Sequence, residues 1–110
     1  NKLRKADRLA RKYLSEAKKQ LGSADAFYVA LEKALHNFLK AKLRIETSEI
    51  SKERIIELLA AKNIEKTSIN SFIDVFKSCD MARYSPMSDG EMNKDYERAK
   101  QVITVIDKQL

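Results

Sequence analysis

Two glycines and one proline in 110 residues leave this chain few places to turn sharply, and that scarcity constrains its fold more than any motif does. A many-stranded fold needs turn residues about every 8–12 positions, which this sequence does not supply. With 44% hydrophobic and 35% charged residues the chain is neither disordered nor sheet-like in composition. Long helices are what such a sequence can build, and its length suits one domain, residues 1–110, with one modest core.

The apolar spacing follows a helical period. Leu3, Ala6, Ala10, Tyr13, Ala17 and Leu21 form one stripe, predicting a first helix that runs to Leu21 and stops at Gly22. Ser23 or Asp25 can cap a second helix, the central and most buried one, with Phe27, Leu31, Ala34, Leu35, Phe38, Ala41 and Lys42 on its inner face. Ser51 caps a short third helix carrying Ile55, Ile56, Leu58 and Leu59, which ends at Asn63. A fourth helix places Ile69, Phe72, Ile73, Phe76 and Cys79 on one face and must end before Pro86. After the longest loop, Tyr84 to Met92, Asn93 is expected to cap a last helix with Tyr96, Ala99, Val102, Ile103, Ile106 and Leu110 inward. The fold class is therefore all-α, a bundle of about five helices.

Location makes the net charge of +6 informative. Residues 1–20 carry Lys2, Arg4, Lys5, Arg8, Arg11, Lys12, Lys18 and Lys19 against only Asp7 and Glu16, while residues 22–110 form a charge-balanced body. A basic first helix of this kind, residues 1–21, fits a nucleic-acid footprint, attraction to anionic lipid, or the positive flank of a membrane span. The span itself is not in this chain, which has no run of about 18 apolar residues. Its basic start also lacks the apolar region of a signal peptide. Because it begins at Asn1 without Met, the chain reads as a soluble piece of something longer.

Chemistry-bearing residues are sparse. His36 falls off the inner face of the central helix, with Glu32 one turn before it, and reads as a boundary histidine without catalytic partners. Cys79 shares a face with Phe72 and Phe76 and reads as an unreactive core thiol. Asp89, Glu91, Asn93, Asp95 and Glu97 alternate like the ligands of a calcium loop, but Lys94 and Lys100 stand where that loop needs Gly and Glu, so helix capping explains the acids better. A helix-turn-helix over residues 51–79 fails on charge, because Glu65 to Asp80 holds two lysines against three acids. Neither a phosphate loop nor a nucleophile elbow is present, so the sequence predicts no enzyme, no cofactor and no metal site. Arg83, Tyr84, Ser85 and Pro86 form the most unusual string, either a packed helix exit with Arg83 near the terminal carbonyls or a partner-docking loop.

Several stretches together carry a resemblance: Arg4 to Leu14, Phe27 to Ile45, Ser51-Lys52-Glu53, Ala82 to Pro86, and Met92 through Asp95-Tyr96-Glu97 to Asp107. They are similar to the C-terminal cytoplasmic tail of the bacterial aerotolerance (oxygen-tolerance, BatD) family. The resemblance implies a single-pass membrane parent with extracytoplasmic immunoglobulin-like domains, and a tail at the cytoplasmic face of the inner membrane. The partners it implies are von Willebrand A-type membrane proteins and a MoxR-type AAA+ ATPase; it carries over no catalytic residue. It also favours a juxtamembrane first helix near anionic lipid and a protein-interaction role. A weak, non-specific nucleic-acid-binding module is the alternative, since a basic helix without interleaved aromatics contacts phosphates only.

Overall fold

The computed structural model describes residues 2–46 and 51–110, with side chains from Lys5 onward. The described chain is all-α, with six helices in place of the expected five or so: α1 Lys2–Tyr13, α2 Ser15–Lys19, α3 Ala24–Leu43, α4 Lys52–Ala61, α5 Lys66–Met81 and α6 Asp89–Gln109. The additional helix comes from a break in the first stripe. Leu14 leaves helical geometry (φ −108°, ψ 5°) while Ser15 Oγ donates to the Arg11 carbonyl at 2.7 Å, a back-bond of the kind that bends helices. Backbone bonds still thread through, from Leu14 N to Ala10 O and from Lys18 N to Leu14 O, so the chain bends without unravelling. Ala10, Leu14 and Ala17, spaced at i, i+4 and i+7, are all buried, so one inner face continues through the bend.

Local signals explain the other boundaries. Gly22 (φ 99°) and Asn63 (φ 62°) take the left-handed turns expected of them, and Arg44 (φ 56°) closes α3 the same way. Ser51 accepts from Arg54 N and caps α4. α6 starts earlier than Asn93: Ser88 accepts from Glu91 N while Glu91 bonds back to Ser88 N, a capping box that pulls Asp89 to Met92 into the helix and limits the loop to residues 82–88.

The buried side chains form one cluster, with α3, α5 and α6 contributing most of it. α3 lies against α1, α2, α5 and α6, α6 against α1, α3 and α5, and α4 rests on α5. An aromatic chain crosses the core: Tyr13 meets Phe38 edge-on at 5.3 Å, Phe38 lies 6.2 Å from Phe72, Phe72 5.4 Å from Phe76, and His36 stacks on Phe76 at 5.4 Å. Four residues expected inward are exposed instead: Ala41, Lys42, Ile56 and Leu110. Lys42 turns to Asp107 on α6 while Leu43 and Ile45 take the core side at this end of α3, and Leu110 is the C-terminal residue, beyond α6.

Candidate functional site

The basic first segment divides into cations that hold the fold and cations that face outward. Lys5 Nζ sits 3.2 Å from Asp107 and Lys42 Nζ 2.5 Å from the same carboxylate, so Asp107 clamps α1 and α3 onto the end of α6. Burial alone would raise the Asp107 carboxyl, and the two ammonium groups reverse this and hold it below the usual carboxylate range. Lys5 thus leaves the outward-facing set, while the side chains of Lys2 and Arg4 lie outside the described residues.

Arg8, Arg11, Lys12, Lys18 and Lys19 are exposed. Lys12 lies 5.4 Å over the ring of its neighbour Tyr13, and Lys19 reaches Glu16 only at 4.0 Å. Among the described residues Arg8, Arg11 and Lys18 form no ion pair. Asp7 turns the other way, to Lys100 on α6 at 2.9 Å. This bond, then the charges of Lys100, Arg11 and Lys18, hold Asp7 below its ordinary value. The result is a cationic surface carried by α1 and α2, anchored to the body through Asp7 and Lys5.

The second sequence candidate divides too. Arg83 donates to Glu32 on α3 at 2.6 Å and lies 3.5 Å from Asp80, so it straps the exit of α5 to α3 and does not serve the terminal carbonyls. Glu32 thus takes Arg83 as its ion-pair partner, while His36 is half-buried on Phe76, where burial lowers its pKa against the opposing charge of Glu32. Tyr84 is 87% exposed, and Ser85 and Pro86 are exposed beside it. Nearby, Asp25, Tyr28, Val29, Glu32, Ala82 and Arg83 line a groove of about 400 Å³.

Cys79 is buried, and burial pushes its thiol well above the ordinary value. The alternating acids do not converge, because alternate residues lie on opposite sides of α6: Asp89, Glu91, Asn93 and Glu97 face solvent while Asp95 is 4% exposed. Asp95 accepts a 2.5 Å hydrogen bond from the Tyr28 hydroxyl and pairs with Arg98 at 3.7 Å. Sequence reasoning missed this contact; Tyr28 stands at i−3 and i−7 from Leu31 and Leu35, a spacing that marks it as inward. Among the described residues no three His, Cys, Asp or Glu side chains form a metal site, and no helix is long and apolar enough to cross a membrane. Compared with protein-family models, curated proteins and solved structures, the chain matches none.

Proposed function

We propose that this chain is a non-enzymatic protein-interaction domain of a single-pass bacterial membrane protein of the aerotolerance type, held at the cytoplasmic face with α1 and α2 toward anionic lipid. The observation that carries the reading is the outward set Arg8, Arg11, Lys12, Lys18 and Lys19, gathered on two helices of a chain in which residues 22–110 carry no net charge. Cations at an anionic surface each add attraction that salt screens. The exposed Tyr84 loop and the neighbouring groove offer the body of the domain a separate place to meet protein partners.

Co-sedimentation with phosphatidylglycerol vesicles at low and high salt tests the lipid role. Wild type should bind, and the Arg8→Gln/Arg11→Gln/Lys12→Gln/Lys18→Gln variant should bind about tenfold more weakly or worse. All four positions are exposed, so the variant should keep its fold. Binding that ignores both salt and the substitutions would contradict the lipid role. Tighter binding to duplex DNA than to vesicles at physiological salt would favour the nucleic-acid alternative.

A further inference from the structure

The cationic surface is not uniform. Where α1, the α1–α2 bend and α6 meet, Asp7, Ala10, Arg11, Ser15, Lys18, Tyr96 and Lys100 line a depression of about 290 Å³. At about 30 Å³ per water molecule, it has room for a phosphate group with part of its hydration shell. Its three cations come from three different helices, α1, α2 and α6. Asp7, Arg11, Ser15 and Lys18 recur at i, i+4, i+8 and i+11, so one face of the α1–α2 segment presents both Arg11 and Lys18 at this mouth. Asp7 is the single carboxylate in the lining, so the lining itself carries two positive charges in excess; Glu97, exposed one turn before Lys100, lies outside it but its charge reaches that ammonium group.

We infer that this depression is a phosphate-group site, selective for a phosphomonoester over a phosphodiester, with Arg11, Lys18 and Lys100 as its cations and Asp7 as an internal competitor. This inference rests on the anionic-surface reading of α1 and α2 and names the group that surface selects. A phosphomonoester carries about −1.5 to −2 charges near neutral pH, which matches the uncompensated charge, whereas a diester carries only one. Arg11 supplies a planar fork for two phosphate oxygens, and the lysines supply compact point charges. Asp7 already holds Lys100 at 2.9 Å, so an incoming phosphate must share that ammonium group with it. The Ser15 hydroxyl is committed to the Arg11 carbonyl and takes no donor role, while the largely buried Tyr96 ring supplies a firm wall.

The test compares pairs of equal charge change. Vesicles containing phosphatidic acid and vesicles containing phosphatidylglycerol, matched in surface charge, are titrated against wild type, Arg11→Gln/Lys18→Gln, Arg8→Gln/Lys12→Gln, Asp7→Asn and Glu16→Gln. Inorganic phosphate is titrated in parallel, read by the NMR shifts of the Tyr96 and Lys100 amides. Wild type should prefer phosphatidic acid about fivefold. Arg11→Gln/Lys18→Gln should abolish the preference, and Arg8→Gln/Lys12→Gln should weaken both lipids alike while keeping it. Asp7→Asn should sharpen the preference, and Glu16→Gln should not. Phosphate that shifts Tyr96 without any vesicle binding supports the site with a soluble phosphomonoester as its ligand and overturns only the membrane reading. Vesicle binding that persists without lipid preference, and with the two arginine–lysine pairs equivalent, overturns the site and leaves the membrane reading standing.

Discussion

Replacing Phe38 by Ala should cost about 3–5 kcal/mol of unfolding free energy, the largest single loss expected in this domain. Phe38 is fully buried and sits in the middle of the aromatic chain, 5.3 Å from Tyr13 on α1 and 6.2 Å from Phe72 on α5. Truncation leaves a cavity that cannot close easily, because its walls are set by three helices already anchored elsewhere. For a domain of this size the melting temperature should fall by roughly 15 °C or more. Denaturant titration of Phe38→Ala beside Tyr84→Ala makes the comparison direct: the exposed tyrosine should change stability by less than about 0.5 kcal/mol. Equal losses would mean that the core does not run through the Tyr13–Phe38–Phe72 line.

Asp95→Ala should cost about 3 kcal/mol, a large figure for a polar side chain. The carboxylate is 4% exposed and accepts the Tyr28 hydroxyl at 2.5 Å. Removing it strands the hydroxyl of a 3%-exposed tyrosine without its acceptor and leaves Arg98 only its 3.7 Å contact with Asp74. Burial and then the bond to Asp95 push the Tyr28 phenol far above its ordinary value, so it stays a donor throughout the accessible pH range. Because the loss arises from a stranded partner, removing both polar groups should be milder. The Tyr28→Phe/Asp95→Ala variant should lose less than the two single changes summed, with a coupling of about 1–2 kcal/mol in the double-mutant cycle. Additive losses would show that the hydrogen bond is not what holds α3 to α6 at this point.

Features that depend on neighbours in sequence were legible before the structure. Gly22, Ser51 and Asn63 did what their backbone chemistry implies, and Phe27, Leu31, Phe38, Ile69, Phe72, Phe76 and Ile103 all lie inward as their spacing says. The start of α6 was also readable, from Ser88 and Glu91 three residues apart, but Asn93 is an equally good cap residue in isolation and drew the boundary too late. Pairings between distant helices were not legible. Periodicity assigns a residue to a face and says nothing of what that face meets, so Lys5 counted as a free cation until Asp107 appeared opposite it. Arg83 with Glu32, and Tyr28 with Asp95, are hidden for the same reason. The phosphate-sized depression needs both kinds of information, since Arg11 and Lys18 are near in sequence while Lys100 joins them only through the packing of α1 on α6.

Paramagnetic relaxation from a spin-labelled headgroup in phosphatidylglycerol nanodiscs reads, residue by residue, whether the α1–α2 side of the domain meets an anionic surface as proposed. From Arg8 to Lys19 α1 and α2 carry five exposed cations against one acid, Glu16, whereas α4 pairs its basic residues with acids and rests on α5, so the two regions should respond differently. Broadening concentrated on the amides of Arg8 to Lys19, with those of Glu53 to Ala61 unaffected, is the expected result. Broadening centred on α4 or α5, or spread evenly over all six helices, would contradict it.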